Sequence, residues 1–472
     1  MWELLSSIAK CAAQTGSEVY LVGGALRDLM MGLEPGDLDF AVSDHVFQLA
    51  RQVAGERQGR LVTLDKERET LRVALPNQRH LDFSLFKGQT IEEDLRARDF
   101  TLNALALPLV PGIHKEAMGH LLDPTGGCRD IRLGLLRATG RSSIMEDPLR
   151  ALRGVRFAAQ FQLTIMPETA VLMKQGCRKL SQVAGERTWQ ELTGFLGLPA
   201  VYPWVDYADR ELKLWHVLLP GRLRMEQTKQ NFYHVENVWR HSLRTFHCLE
   251  VILKELPFAL EEGRQALDSL QRKLAGGRSR LPLLKLAALI HDVGKPDTAV
   301  TQPTGRISFH GHSQAGVPYA EAMADQLKMS RAERQYLASL VLLHMQPLHL
   351  YTSGNYSDLF LYRLFRTLGD HTPDVLVLSL ADLTATYTAG ERLSELTPYQ
   401  HFIFSLIKRY FSESDKFRPV PYLSGSDLLE LGVVEGPRVG ELLEQLLEAQ
   451  VTGEVRDVDA ARRWVKGKLP TL

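Results

Sequence analysis

Two aspartates one residue apart, Asp37 and Asp39, close the stretch Leu21–Phe40, which also carries Gly23-Gly24 and Arg27-Asp28. On a strand, residues i and i+2 share a face, so the two carboxylates project side by side. Carboxylates that close repel each other, and a divalent cation is the usual remedy. A Gly-Gly turn at a helix start offers backbone N–H groups to an anion. Carboxylates for metal beside amides for phosphate point to metal-assisted phosphoryl or nucleotidyl transfer. A lone Asp-x-Asp is also found as a solvated turn. The ordered set Gly-Gly, Arg-Asp, Asp-x-Asp is much more specific.

These residues need a strand at Tyr20–Val22, a helix opening near Ala25 and a second strand carrying Asp37 and Asp39. A helix over Asp44–Ala54 and strand-like runs at Arg60–Leu64, Thr70–Leu75 and His80–Leu85 complete a small α/β head. Asp82, on the last run, is either a third carboxylate aimed at the same metals or an exposed edge residue. Asp94–Ala104 places charges before an expected amphipathic helix. Within it, Arg98, Asp99 and Asn103 supply donors and acceptors suited to a ribose and a triphosphate. Asp123–Gly127 reads as a turn and hinge. At Glu146–Phe157 a proline opens a helix, and Asp147, Arg150, Arg153 and Arg156 recur every three residues as one slowly rotating stripe. Taken alone, that stripe also fits an intrahelical ion-pair ladder.

Lys+Arg and Asp+Glu are equal at 56 each, so the whole chain carries no bulk signal for nucleic acid. Charge is uneven, however. Arg129–Arg187 holds eleven basic against five acidic residues, either a surface for a phosphate backbone or a solvated helix face. Four scattered cysteines with no C-x-x-C spacing suit a reducing cytoplasm. The N-terminus lacks the pattern of a signal peptide, and no apolar stretch reaches membrane-spanning length. A cytoplasmic protein without membrane association is expected.

The four motifs, in this order, resemble the class II tRNA nucleotidyltransferases, the family of CCA-adding enzymes and bacterial poly(A) polymerases, over roughly Val19–Glu191. The resemblance implies a polymerase-β-like head in which Asp37 and Asp39 are catalytic and bind two Mg²⁺, with Asp82 the candidate third catalytic carboxylate from the strand pattern. It also implies that Gly23, Gly24, Arg27, Arg98, Asp99 and Asn103 contact the incoming nucleotide. Asp147 and Arg150 would form an amino-acid template, with Arg153 and Arg156 continuing toward base and phosphates. The chemistry supports this template. A carboxylate accepts from the exocyclic amine common to cytosine and adenine, and a guanidinium donates to the ring acceptor beside it. Uracil and guanine would turn a carbonyl toward Asp147 instead. The Arg-rich signature of Gram-negative poly(A) polymerases has no counterpart in Val42–Asp65, which favours tRNA over mRNA.

Beyond a helical Pro199–Gln230 region, histidines concentrate: His241, His291-Asp292, His310, His312 and His344, followed by Asp382. A lone histidine on an apolar helix is usually a satisfied core residue, but a His-Asp doublet before Gly294-Lys295 has no simple structural explanation. Imidazoles with carboxylates suit a transition metal, or Mn²⁺ or Mg²⁺. The stretch Asn231–Thr397 resembles the HD phosphohydrolases. By that likeness His241, His291, Asp292 and Asp382 hold one metal, His312 and His344 match the extra histidines of two-metal members, and Lys295 meets a phosphate. Tyr422–Leu446 resembles the RNA-binding tail of HD-bearing relatives or, equally, an ordinary helical hairpin.

The expected fold is α+β. It comprises an α/β nucleotidyltransferase head (1–140), a helical neck and body with the nucleotide-selecting helix (141–225), an all-α HD domain (226–397) and a helical tail (398–472). The expected activity is addition of C and A to a tRNA 3′ end from CTP and ATP without a nucleic-acid template, plus HD hydrolysis. The alternatives are a specialised C-adding or A-adding enzyme, a poly(A) polymerase, or an HD hydrolase with a non-catalytic RNA-binding head.

Overall fold

Near-continuous apolar runs at Val19–Val22 (β1) and Leu38–Val42 (β2) are buried on both faces, placing Leu21, Val22, Leu38 and Phe40 in the core. These two strands become the centre of the first sheet. In the computed structural model, which describes residues 1–65, 69–230, 236–390 and 392–469, the sheet adds β3 (Arg60–Asp65), β4 (Thr70–Ala74), β5 (His80–Leu85) and β6 (Ala106–Pro108) in the order β3-β4-β5-β2-β1-β6. β2 and β5 run parallel and the other pairs are antiparallel. In this register Asp39 faces Asp82, and Asp82 faces Arg72. The rings of Phe40 and Phe83 stack beneath, at 4.8 Å.

Around the sheet lie α1 (Trp2–Thr15), α2 (Gly24–Met30), α3 (Val46–Glu56) and α4 (Ile91–Arg96). They are followed by α5 (Gly127–Leu133), α6 (Arg141–Glu146), α7 (Leu149–Phe161), α8 (Pro167–Cys177) and α9 (Gly185–Leu196). The Asp123 carboxylate ties the turn before α5 by accepting from the Gly127 and Cys128 amides at 2.7 and 2.9 Å.

Three expectations need correction. β2 begins at Leu38, so Asp37 sits one residue before the strand rather than on it. No amphipathic helix follows Asp99. Thr101–Asn103 is a single 3₁₀ turn, because the next apolar residues are drawn into the sheet as β6, with Leu107 opposite Leu21. Asp147 is not on the arginine helix. It precedes Pro148, whose ring disfavours a helical conformation at the residue before it, and its backbone is extended at φ −135°.

The chain divides into two compact units, Met1–Leu198 with Trp204–Val217, and Pro199–Pro203 with Leu218–Leu472. It therefore passes between them more than once. Trp204–Val217 is core to the first unit: Val205, Leu212 and Trp215 are fully buried, and the Trp215 indole donates to the Val205 carbonyl at 2.9 Å.

Among its described residues the second unit is helical apart from a short hairpin, Val300–Thr301 with Ile307–Ser308. Its metal-type residues come from five elements. His241 lies in Val238–Ala259, His291-Asp292 follows Leu281–Ile290, His312 opens His312–Gln326, His344 follows Arg331–Leu343, and Asp382 lies in Thr372–Ala389. The opening of the expected HD stretch, residues 231–235, is outside the described residues. Near the C-terminus Leu428, Leu442, Leu446, Ala461 and Val465 form a small core of their own. No helix among the described residues is long and apolar enough to cross a membrane.

Candidate active site

In the first unit a cavity of about 1160 Å³ is lined by Gly23, Gly24, Arg27, Asp39, Arg98, Asp99, Asn103, Arg150, Arg153 and Arg156. Ten of the thirteen residues expected at the head site thus share one wall; Asp37, Asp82 and Asp147 do not. Asp37 is exposed before β2, with its carboxylate 3.4 Å from His80 Nδ1. Asp82 is held bidentately by Arg72, at 2.7 Å from both Nε and Nη2. The Asp147 carboxylate receives Arg187 Nη2 at 2.6 Å.

Gly23 adopts φ 73°, ψ −135°, a region essentially reserved for glycine. A Cβ there would lie 3.1 Å from Arg98 Nη1 and 3.6 Å from Asp39 Oδ2. Gly23→Ala therefore adds strain of about 1–3 kcal/mol and pushes Arg98 off the cavity floor. The expected result is a lower melting temperature and at least about tenfold weaker nucleotide use. Unchanged melting and kinetics would refute this role.

Along the cavity wall the polar groups form one connected chain. Arg27 Nη1 donates to Asn103 Oδ1 at 2.8 Å, and Asn103 Nδ2 donates to Asp99 Oδ1 at 3.1 Å. Asp99 Oδ2 meets Arg153 Nη1 at 3.3 Å, while Glu191 of α9 receives Arg153 Nε at 3.0 Å and Arg156 Nε at 2.8 Å. The Arg27 guanidinium also lies 4.4 Å over the Phe161 ring, and Asp94 accepts both Nε and Nη2 of Arg98 at 2.9 Å. Burial pushes the Asp99 carboxyl up, but Arg153, the Asn103 amide and the Phe100 N–H outweigh it and hold the group below its ordinary range. Asp39 goes the other way. Burial, then the neighbouring Asp82 and Asp37 carboxylates, raise it against the pull of Arg98 and Arg72. A carboxylate held in that field is one a divalent cation would favour.

Arg72 and Asp94 escaped the sequence reading. Arg72 was discoverable in principle, since a hairpin between Thr70–Leu75 and His80–Leu85 sets residues 72 and 82 opposite each other. Its chemistry could not be inferred without the register.

In the second unit all six expected residues converge. Three overlapping groups bring candidate ligand atoms within 4.8 Å of one another: His241, His291 and Asp292; His291, His344 and Asp382; and Asp292, His312 and His344. His241 Nε2 lies 2.8 Å from Asp382 Oδ1, His291 Nε2 lies 3.2 Å from Asp292 Oδ2, and His312 Nε2 lies 3.3 Å from His344 Nε2. Lys295 Nζ reaches Asp292 Oδ2 at 2.6 Å. His291 Nδ1 lies 3.1 Å from the Ala288 carbonyl, which turns Nε2 toward the Asp292 and Asp382 carboxylates as a candidate ligand atom. The donor set therefore fits a bound metal. His310 lines the cavity but is not among the ligand groups.

Burial alone would depress His291, yet Asp292 and Asp382 lift it to about 10. Burial and the neighbouring imidazoles lower His344 to about 3. The unfolded values are near 6.5. The stability His291 contributes is full below pH 6.5 and is lost as pH rises through 10. Below pH 6.5 the unfolded chain takes up a proton that folded His344 refuses, so stability also falls toward pH 3. Chelator-treated protein should be most stable near pH 6.5. A denaturant midpoint that is flat from pH 5 to 8 would count against this charge assignment.

Residues 19–137 match the Poly A polymerase head domain family, and residues 238–387 match the HD domain family. The chain is 33% identical to an A-adding tRNA nucleotidyltransferase of Deinococcus radiodurans over 94% of both chains. It belongs to the tRNA nucleotidyltransferase family. A CC-adding member from Thermus thermophilus is 30% identical over 96% of this chain and 94% of its own. In fold the chain is similar to a CCA-adding enzyme solved in an apo form (TM-score 0.67, 20% identity, 99% of this chain and 94% of that one). It is likewise similar to the Thermotoga maritima CCA-adding enzyme solved with tRNA (TM-score 0.63, 21% identity, 99% and 95%). As a tRNA nucleotidyltransferase family member, the chain has both regions its sequence announced: a mixed α/β head and an HD region that is helical apart from one short hairpin.

Proposed function

We propose that this nucleotidyltransferase adds C and A to the 3′ end of tRNA from CTP and ATP without a nucleic-acid template. The supporting observation is the single wall that joins the Gly23-Gly24 turn, Asp39 and eight further residues with cationic or amide groups. Asp37 and Asp39 would hold Mg²⁺, which supplies Lewis-acid neutralisation of the triphosphate and an activated RNA 3′-hydroxyl. The chain's own groups do the rest. The Gly23 and Gly24 turn and Arg27 cradle phosphates, Arg98 fixes the nucleotide close to Asp39, and Asn103 with Asp99 holds the sugar. The 3′-hydroxyl gives up its proton to solvent as its oxygen bonds to the α-phosphorus, the bond to the bridging oxygen breaks, and pyrophosphate leaves.

Base choice falls to Asp147 and Arg150. Arg150 already lines the cavity, its Nη1 anchored by the Ser143 and Ala97 carbonyls at 2.8 and 3.1 Å. Asp147 must exchange Arg187 for the nucleobase amine. Asp147→Ala is expected to relax the preference for CTP and ATP over UTP and GTP by about tenfold or more; retained selectivity would remove Asp147 from this role.

Three tRNA transcripts, ending before CCA, after C and after CC, test the reading when given labelled CTP and ATP singly and together. Complete CCA on all three supports it. Full-length relatives named A-adding and CC-adding favour one second reading, a specialised enzyme. Products stopping at CC, or extension of the CC-ended transcript alone, would establish that instead. Long A tails on unrelated RNA would mean a poly(A) polymerase.

The reading divides the chain into a head (1–140), neck and body (141–225), HD domain (226–397) and tail (398–472) with possible RNA contact. The HD cluster would hold one or two divalent ions, Ni²⁺, Mn²⁺ or Mg²⁺, and act as a phosphatase or phosphodiesterase on 3′ ends or 2′,3′-cyclic phosphates. Failure to hydrolyse any such substrate with these metals would refute that activity. A cytoplasmic location fits this chemistry, and fractionation with tagged protein would check it.

A further inference from the structure

The HD cluster opens on a cavity of about 720 Å³, within the range of about 300–1,000 Å³ used for small ligands. Its acidic lining residues are Asp292 and Asp382, both members of the cluster. Its other charged residues are Lys295, Arg306 and Arg392. One phosphate at the cluster needs one such cation, and Lys295, bonded to Asp292 and to Gln230 Oε1 at 2.8 Å, is placed for it. That leaves Arg306 and Arg392 as further cations on the lining.

Arg306 differs from the other two. Lys295 is tied to Asp292, and Arg392 Nε donates to Glu395 at 2.6 Å. Arg306 is exposed and has no ion-pair partner among the described residues. Its backbone is nonetheless fixed. The Gln302 amide donates to the Arg306 carbonyl at 2.7 Å and the Gly305 amide to the Gln302 carbonyl at 2.9 Å, with Gly305 at φ 80° closing the turn. This hairpin is the segment of chain joining Asp292 to His312, so its base is anchored on the cluster at both ends. An unpaired guanidinium carried on the cavity wall by this anchored hairpin is suited to bidentate capture of a second phosphate. Phe309, 5.5 Å from the Lys295 ammonium, and Tyr387, 5.2 Å from the Arg392 guanidinium, add flat faces on which bases stack.

We infer that the HD cavity is built for the 3′ end of an oligonucleotide, with the terminal phosphate at the cluster and the next phosphodiester held by Arg306. This rests on the hydrolytic reading of the HD site given above. In the reaction a water oxygen bonds to the terminal phosphorus, one P–O bond of a 2′,3′-cyclic phosphate breaks, and the proton ends on the freed hydroxyl. Arg306 takes no part in that exchange; it is a positioning residue.

The test uses the full chain with Mn²⁺ or Ni²⁺ and two 2′,3′-cyclic phosphates sharing one terminal nucleoside: the mononucleotide and the dinucleotide. A nucleoside triphosphate is the third substrate. The dinucleotide should be preferred in kcat/KM by about 10–100-fold, the worth of one charge-assisted contact. Arg306→Ala should bring the two to within about threefold, through the dinucleotide KM, and Arg306→Lys should restore only part of the gap. In chelator-treated protein, Arg306→Ala should weaken binding of a fluorescent 3′-phosphorylated dinucleotide. Equal use of mononucleotide and dinucleotide overturns this inference and leaves HD hydrolysis standing. A preference for the triphosphate overturns the oligonucleotide assignment. Hydrolysis of none of the three overturns both.

Discussion

Asp39→Asn is expected to lower nucleotide addition by about 10³-fold while tRNA affinity stays within about twofold. The size follows from what the carboxylate would anchor: a cation contributes several kcal/mol of transition-state stabilisation, and each 1.36 kcal/mol is tenfold in rate. The fold does not need this charge. Asp39 is raised by burial and by Asp82 and Asp37, so an uncharged residue of the same shape should leave the melting temperature equal or higher. Single-turnover incorporation of labelled ATP and CTP, filter binding of tRNA and calorimetry on one preparation separate the three quantities. Incorporation above about a tenth of wild type would remove Asp39 from catalysis, and a large loss of stability would make it structural.

His291→Gln should abolish HD hydrolysis, about 10²-fold or more, together with retention of metal measured by elemental analysis after gel filtration. His291 is fully buried and belongs to two of the three ligand groups. Glutamine keeps most of the volume, so a cavity does not complicate the result. Nucleotide addition should remain within about twofold of wild type, because the head site draws all its lining residues from the other unit. Asp39→Asn should give the reciprocal pattern. Loss of both activities from either substitution would contradict two independent centres.

The second centre was legible because its chemistry is costly to bury. Six histidines and aspartates on apolar helices have few reasons to be there except a ligand, and all six meet. The Gly23-Gly24 turn and its arginines were legible because only glycine accepts that backbone and because guanidinium groups cluster where phosphate binds. What escaped depended on partners far apart in sequence. Arg72 meets Asp82 only through strand register. The three-residue spacing from Asp147 to Arg156 reads as one stripe, yet Pro148 takes the first member off the helix and Arg187, forty residues on, claims it. Asp99 was read as the start of a helix, but the sheet had a stronger use for the apolar residues that follow.

The alternation of the chain near residue 200 limits how the gene can be cut. Pro199–Pro203 belongs to the second unit and Trp204–Val217 to the first, so no single stop codon or recombination point parts the two cleanly: a cut after Val217 keeps the first unit whole but takes Pro199–Pro203 from the second. A fragment ending at Leu198 forfeits Val205, Leu212 and Trp215, all fully buried, and leaves open the core they fill. Shuffling that removes the HD centre from such a polypeptide must cut beyond Val217 and leaves Pro199–Pro203 without the rest of its unit, whereas a point change at His291 is expected to silence hydrolysis in one step. Inactivation in place is therefore the easier route by which a lineage could lose the second activity and keep the first.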